Sequence, residues 1–379
     1  MSEGRLAAPD VLRGLAIAGT FAVNVWVFAD PAGPAAVLGG FDVGWWLDRV
    51  LLAVVNGKFL ALLTLLFGIG MELQYRSAVR RGIRWPGRYL LRAGILFVEG
   101  LLHYLLVFEF DVLMGYAIAS VLVAWLVGRS SAVRVTAGLL AGGFVLLVVG
   151  ALTVALSSDD GGSVPAPAYP STWTGQVWLR LTEPLLYRVE LVLVVPSAIV
   201  LFLVGSALLR AGVFEAHRGG ARVRTRLMAV GAVGVVADVA AVLAGPAWIG
   251  VERYLAAPLV AAGLLGLVPA VLLGMRGPAG RVRRGLTTVG RTAMSCYVGQ
   301  NVVASVLFHP WGLGLAAALA TVPPPLRTAG VVGIWAGVVV LSVAAMGRWL
   351  RRYDRGPLEL LTHALVDRGR PRPEPVGGR

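Results

Sequence analysis

A histidine, two carboxylates and a lysine stand within or beside apolar stretches of this sequence. Glu99 and His103 are four residues apart, so a helix places them on one face. Asp111 follows after a short connection, and Lys58 lies in the preceding apolar block. A histidine oriented by a carboxylate serves as a general base, and the pKa of a buried lysine shifts readily. We therefore predict a catalytic group of His103, Asp111, Glu99 and Lys58.

Amide side chains and one arginine occupy further apolar blocks. Polar groups inside a membrane are costly and tend to mark function. The rise of a helix places Asn24 and His103 each roughly 21 Å from the start of its helix. We therefore expect these groups to meet in the outer half of the membrane. The predicted substrate-binding residues are Asn24, Asn56, Arg13, Gln300 and Asn301.

The same residues also have structural interpretations. The four amides are of a type that forms hydrogen bonds between membrane helices without binding a ligand. Lys58 and Glu99 have the charges of a structural ion pair. Glu190 and Asp238 are further carboxylates in apolar blocks, and the sequence favours neither a functional nor a structural role for them.

The elements that must position these residues are transmembrane helices. Of 379 residues, 57% are hydrophobic and 14% are charged, and mean hydropathy is +0.78. The apolar residues fall into blocks long enough to cross a hydrocarbon core of about 30 Å. We predict an all-α integral membrane protein, a bundle of about ten transmembrane helices, over 11–28, 48–73, 89–107, 111–127, 133–156, 188–209, 227–244, 254–274, 290–308 and 329–349.

The net charge of +14 comes almost entirely from arginines in every second loop. Basic residues concentrate in cytoplasmic loops, so the pattern predicts that the N-terminus and C-terminus are both cytoplasmic. It also explains the charge without a nucleic-acid partner. With one cysteine and four scattered histidines, we predict no disulfide framework, no metal site and no bound cofactor.

The chain is predicted to form a single polytopic domain over 1–367. Its halves cover about 1–156 and 188–367, and an external loop of 157–187 joins them. The tail of 368–379 is rich in proline and arginine and is predicted to be disordered in the cytoplasm.

Five ordered motifs give the sequence a family resemblance. It resembles the YeiB-like family of bacterial inner-membrane proteins, whose C-terminal half is known as domain of unknown function 418. That resemblance implies a multi-pass protein of the bacterial plasma membrane. The motifs are Asp10–Ala16 with Asn24, Gly57–Phe59 through Leu65–Gly70, Gly100–His103 with Asp111–Leu113 and Tyr116–Ala117, Gly290–Gln300, and Trp349 with Arg355–Glu359. Cys296 stands where the family more often has asparagine.

The family is similar in its first helices to membrane acyltransferases. Acyltransferases of surface sugars carry an arginine and a histidine in helix one. Arg13 has the matching place here, and Asn24 stands at the place of the histidine. Proteins similar to the lysosomal heparan acetyltransferase also carry asparagine there and use a histidine elsewhere, which the resemblance would assign to His103.

Two main functions follow, with the lipid bilayer as surroundings in both. In the first, an acyltransferase moves an acyl group from cytoplasmic acyl-CoA to a small-molecule or glycan acceptor; His103 is the base, and Lys58, Asn24 or Asn56 stabilise the oxyanion. The residues expected to meet the CoA phosphates are Arg80, Arg81, Arg84 and Arg88, although topology alone explains this cluster.

In the second function, the same polar groups form the path of a transporter or permease. A membrane protein without catalysis is a third alternative, and the sequence leaves the oligomeric state open.

Overall fold

All regular elements are helices in the residues that this computed structural model describes, 7–34, 45–158, 169–275 and 279–367. We number them in chain order. They are α1 (Ala7–Ala29), α2 (Trp46–Val55), α3 (Lys58–Arg80), α4 (Tyr89–Leu106), α5 (Leu113–Val127), α6 (Ser131–Ser158), α7 (Trp173–Thr182), α8 (Pro184–Arg188), α9 (Leu191–Arg210), α10 (Arg218–Ala244), α11 (Ala257–Gly274), α12 (Arg281–Arg291), α13 (Ala293–Phe308), α14 (Leu315–Ala320), α15 (Pro324–Trp349) and α16 (Pro357–Asp367).

Eight helical segments within the described residues are long and apolar enough to cross a membrane. The prediction of an all-α integral membrane bundle is thereby confirmed. α5 and α13, predicted as two further spans, have 15 and 16 residues, near the shortest length that crosses a hydrocarbon core. The count of ten spans and the cytoplasmic position of both termini remain predictions. The eight segments are Ala8–Ala29, Trp46–Arg80, Tyr89–Leu106, Ser131–Ser158, Pro184–Arg210, Arg218–Ala244, Pro246–Gly274 and Pro324–Trp349.

The helices divide into a packed centre and a lipid-facing rim. In α6 and α15 only 11% of the most apolar stretch is buried. Leu139 and Leu140 of α6 are each 71% exposed on the outside of the bundle. Lipid tails are as apolar as leucine, so such a face is stable only in a membrane. The main core forms between α1, α3, α5, α9 and α11, with Leu12, Leu62, Ala119, Phe202 and Leu265.

The span predicted over 48–73 falls within the apolar segment Trp46–Arg80, but its helix is not continuous, because the chain breaks at Asn56 and Gly57. α2 ends at Val55 and α3 begins at Lys58. Gly57 has a φ of 72°, a conformation that side chains with a Cβ rarely adopt. A Cβ at this position would also lie 3.0 Å from the carbonyl oxygen of Arg253. Glycine therefore permits both the break and the close approach of the segment before α11.

A helix in the predicted external loop 157–187 fixes the connection between α4 and α5. The Thr172 Oγ1 accepts a hydrogen bond from the Gly175 N–H at 3.2 Å and caps α7. Arg180 of α7 then donates to Glu109 at 2.7 Å, and both side chains are buried. α7 thus holds the connection that carries Asp111. Residues 159–168 of the predicted loop lie outside the described residues.

α12 and α16 hold the start of α13. α12 packs across the N-terminal end of α1, where a Cβ on Gly290 would lie 1.8 Å from the Asp10 carbonyl oxygen. In α16, Glu359 accepts from the Met294 N–H at 2.8 Å and so caps the N-terminus of α13. The predicted disordered tail 368–379 lies outside the described residues.

Candidate functional site

The first buried cluster centres on His103 and Asp111. His103 is in the last turn of α4, and its Nδ1 lies 2.9 Å from Asp111 Oδ1. The other oxygen, Asp111 Oδ2, accepts from the Leu113 N–H at 2.9 Å at the start of α5. Each residue is only 3% exposed. This contact favours the tautomer in which Nδ1–H donates to the carboxylate, and in that tautomer Nε2 is the acceptor.

Three side chains extend this cluster toward α1 and α13. The Asn301 Nδ2 lies 3.3 Å from His103 Nε2, and the Asn24 Nδ2 donates to Asn301 Oδ1 at 3.2 Å. On the other side, the Tyr297 hydroxyl donates to Asp111 Oδ1 at 3.4 Å. The His103 cluster, defined as these five residues, is therefore a continuous hydrogen-bonded chain between α1, α13 and the α4–α5 connection.

The second cluster lies at the helix break and consists of ions. Lys58 Nζ is 2.7 Å from Asp238 Oδ1 and 3.7 Å from Glu252 Oε1. It also donates to the Asn56 carbonyl oxygen at 3.2 Å, which the break leaves available. The Asn56 side-chain amide donates to Glu252 at 3.0 Å. Lys58, Asn56, Asp238 and Glu252 form what we call the Lys58 cluster.

A π-helical segment, Glu252–Ala256, brings further charges to the Lys58 cluster. Arg253 Nη2 is 2.7 Å from Glu190 Oε1, and the Tyr254 hydroxyl donates to the same oxygen at 2.6 Å. Short π-helical turns are rare and often occur at functional sites. Here the turn directs consecutive residues to different partners, Glu252 to Lys58 of α3 and Arg253 to Glu190, which precedes α9.

A cavity of about 40 Å³ lies between the two clusters. This volume accommodates a few water molecules or a small organic group. A second cavity, largely apolar and also about 40 Å³, shares Gly57, Leu60 and Arg253 with the first. The residues that line the first cavity are Thr20, Val23, Asn24, Val27, Val55, Asn56, Gly57, Leu60, Phe108, Phe110, Val112, Arg253 and Tyr297.

An aromatic cover closes the His103 cluster on the side of α7. The Phe108 ring lies 6.4 Å from the His103 ring and 4.9 Å from the Phe28 ring. His309, the first residue after α13, packs on Phe28 and Tyr169 at 5.6 Å and 5.4 Å. Burial lowers the pKa of His309 to about 4, so this ring is neutral at physiological pH.

The chain is similar to known bacterial proteins. YeiB of Escherichia coli K12 is 26% identical over 94% of this chain and 95% of its own length. A family model described as "Protein of unknown function (DUF418)" matches residues 208–369. The chain is thus similar to the YeiB-like DUF418 family, in its C-terminal part by the family model and over nearly its whole length by YeiB. YxaH of Bacillus subtilis strain 168 is 30% identical over 126 residues, which are 31% of this chain and 31% of YxaH. No solved structure matches.

The DUF418 match covers only part of the site, whereas the similarity to YeiB covers nearly the whole chain. The DUF418 model begins in the last turn of α9, so it includes Asp238, Glu252 and Asn301 but not His103 or Asp111. The similarity to YeiB extends over nearly the whole chain. The YeiB-like resemblance is confirmed. The similarity to membrane acyltransferases remains a prediction.

The structure separates Glu99 from the predicted catalytic group. Glu99 accepts a hydrogen bond from Thr362 of α16 at 3.1 Å, and Asp111 alone contacts His103 from among the predicted carboxylates. Lys58 pairs with Asp238 and not with Glu99, so the suggested ion pair between Lys58 and Glu99 is wrong. A helix that the sequence analysis did not predict, α16, accounts for the position of Glu99.

The remaining predicted residues divide between the site and the surface. Arg13 lies near the start of α1 and pairs with Asp10 at 3.4 Å, about 16 Å along the helix from Asn24. Gln300 is 1% exposed, and its amide atoms have no hydrogen-bond partner among the described residues. Neither cavity is lined by the predicted CoA-binding residues, which are exposed at the ends of α3 and α4: Arg80, Arg81, Arg84 and Arg88.

Four residues of the site escaped the sequence analysis. Thr20 gave no signal, because threonine is ordinary in membrane helices, and Tyr297 stood out only as part of the Gly290–Gln300 motif. Glu252 and Arg253 stand just before the predicted span 254–274, outside the apolar blocks. A single glutamate–arginine pair at the mouth of an apolar block was the one available clue.

Proposed function

We propose that this DUF418 protein is an acyltransferase of the bacterial plasma membrane. It moves an acyl group from cytoplasmic acyl-CoA to a hydroxyl or amine acceptor, a small molecule or glycan, in the outer half of the membrane. The observation that carries the proposal is the buried His103–Asp111 pair, with its 2.9 Å contact at Nδ1. A histidine held in this tautomer is suited to take a proton at Nε2.

The reaction requires one proton acceptor and one carbonyl. The hydroxyl oxygen or amine nitrogen of the acyl acceptor forms a bond to the thioester carbonyl carbon. At the same time, Nε2 of His103 takes the proton from that oxygen or nitrogen. The carbon–sulfur bond then breaks, and the proton passes to the CoA thiolate. Asp111 stabilises the imidazolium that exists between these steps. Atoms and charges balance without a further reagent.

Two amides separate His103 from the cavity. Asn301 lies against Nε2, and Asn24, which contacts Asn301, lines the cavity. Rotation of these two amides would expose Nε2 to a bound acceptor. At the opposite end, the exposed arginines around Arg84 would bind the phosphates of CoA with charge-assisted hydrogen bonds.

Calorimetry and a thiol assay on the detergent-purified protein test this function. We expect acetyl-CoA or a longer acyl-CoA to bind in the micromolar range, with slow release of CoA. His103→Gln is expected to bind acyl-CoA unchanged but to release CoA at least about 10²-fold more slowly. The matched control is His217→Asn, at an exposed histidine that caps α10. Absence of binding to every acyl-CoA would rule out the acyltransferase.

Transport of a small solute is the second candidate, and the helix break supports it. Secondary transporters often bind substrate or ions at discontinuous helices. Here the break at Asn56 and Gly57 carries a buried lysine with two carboxylates. Solute or proton flux into proteoliposomes, lost in Lys58→Met while CoA release is absent, would favour transport. Equal CoA release by the native chain and by Lys58→Met, without any solute or proton flux, would exclude transport.

A further inference from the structure

Two polar groups in the wall of the first cavity lack hydrogen-bond partners among the described residues, the Thr20 hydroxyl and the Arg253 Nε–H. Thr20 is 6% exposed. Other helical threonines, such as Thr64 and Thr153, donate to the carbonyl oxygen four residues earlier. Buried polar groups are generally paired. Both of these groups can donate, so a group with acceptor oxygens would satisfy them.

Most of the remaining cavity wall is apolar, and Asn24, Asn56 and Tyr297 also line it. Val23, Val27, Val55 and Leu60 contribute aliphatic side chains, and Phe108 contributes a ring. With a volume of about 40 Å³, the cavity accommodates an acceptor oxygen that carries a short alkyl group. A long alkyl chain would have to leave through the second cavity, which adjoins at Leu60 and Arg253.

Charge distinguishes a neutral ligand from an anionic one. Three cations lie near the cavity, Lys58, Arg253 and Arg188. Four carboxylates interact with them: Asp238, Glu252, Glu190 and Asp111. The carboxylates already exceed the cations, and charges interact strongly where water is excluded. A further carboxylate would therefore be repelled, whereas an uncharged carbonyl oxygen still accepts from Arg253 and Thr20.

We propose that this cavity binds a neutral carbonyl group with a short alkyl substituent, held by the Arg253 Nε–H and the Thr20 hydroxyl. As a description of the transferred acyl group it rests on the proposed function, because a thioester or ester carbonyl has this chemistry. In that reaction Arg253 and Thr20 would stabilise the oxyanion, in place of Lys58. The binding site itself does not depend on catalysis.

Saturation-transfer NMR with propionamide and propionate on the purified protein tests the proposal. We expect propionamide to bind at least tenfold more tightly than propionate. Arg253→Lys keeps a positive charge for Glu190 but removes Nε–H, and Thr20→Val removes the hydroxyl at constant size. Each variant is expected to weaken propionamide binding at least fivefold, and Thr20→Ser is expected to restore it. Thr153→Val on the lipid-facing α6 is the matched control.

The outcomes distinguish failure of this binding site from failure of the proposed acyl transfer. Propionamide binding that depends on Arg253 and Thr20, together with absent CoA release, supports the site and rejects acyl transfer. Tighter binding of propionate would overturn the neutral-ligand assignment. Propionamide binding that is absent, or that is equal in the native chain and both variants, would overturn the site even if CoA is released.

Discussion

The His103 cluster and the Lys58 cluster face the same cavity but are built on different physical principles. The first has one titratable pair, and neutral amides and a phenol complete its hydrogen bonds. The second contains one ammonium group and two carboxylates at a helix break. Directional hydrogen bonds fix a tautomer, whereas a buried ion network stabilises a backbone arrangement. From this difference we expect the first cluster to take part in the reaction and the second to stabilise the backbone at the helix break.

The largest expected effect comes from the same change, carboxylate to amide, in each cluster. Asp111→Asn still caps α5 but favours the wrong tautomer of His103, so we expect acyl transfer to fall about 10³–10⁴-fold. Asp238→Asn leaves Lys58 with Glu252 and is expected to change the rate less than about tenfold. Rates of CoA release measure both. Similar losses in the two variants would contradict the division of roles.

Stability should respond in the opposite order. Lys58→Met leaves Asp238 and Glu252 as buried carboxylates without their cation, and we expect a loss of about 3–5 kcal/mol. In the His103 cluster, Asn24→Leu removes one hydrogen bond and is expected to cost about 1–3 kcal/mol. Thermal unfolding in detergent measures both changes. If the double variant Lys58→Met/Asp238→Asn is more stable than Lys58→Met alone, unpaired charge is the cause of the loss.

A pH titration sharpens the comparison at the aromatic cover of the His103 cluster. The pKa of His309 is about 4 in the folded chain against 6.5 for a free histidine. The unfolded chain therefore binds a proton first, and stability falls as the pH is lowered from about 6.5 to about 4. The expected loss of folding stability over this range is about 3 kcal/mol. His309→Gln should remove this part of the dependence; an unchanged profile would assign it to another group.

The smallest expected effect tests the boundary of the His103 cluster. Glu99→Gln keeps an acceptor for Thr362, so we expect CoA release to change less than about twofold. Stability is expected to change by no more than about 1 kcal/mol. Thermal unfolding and the thiol assay are again sufficient. A loss of rate as large as that in Asp111→Asn would return Glu99 to the catalytic group.

The sequence predicted that Asp111 or Glu99 orients His103. The contact with Asp111 was within reach, because a short connection brings the end of one helix to the start of the next. Glu99 shows the limit of such reasoning. Helical spacing assigns Glu99 and His103 to one face, but the neighbour that each contacts depends on how distant helices pack. α16 reaches Glu99 from more than 250 residues away in the chain.

The helix break was not predicted, because Asn56 and Gly57 interrupt a continuous apolar block only briefly. Hydropathy predicts where a chain crosses the membrane, and it is insensitive to one glycine with a positive φ. The partners of Lys58 were likewise beyond reach, since Asp238 and Glu252 come from a distant part of the chain. Their pairing depends on the tertiary arrangement of α3, α10 and the π-helical segment.

The weakly packed rim has a consequence for hydrophobic mismatch. α6 has 28 residues and α15 has 26, so they extend about 42 Å and 39 Å, against about 30 Å of hydrocarbon. Both helices must tilt or project beyond the hydrocarbon. Because few of their side chains pack against the bundle, a change of tilt disturbs few contacts. Differences in bilayer thickness are therefore absorbed at the rim, while α1, α3 and α13 keep the spacing of the cavity.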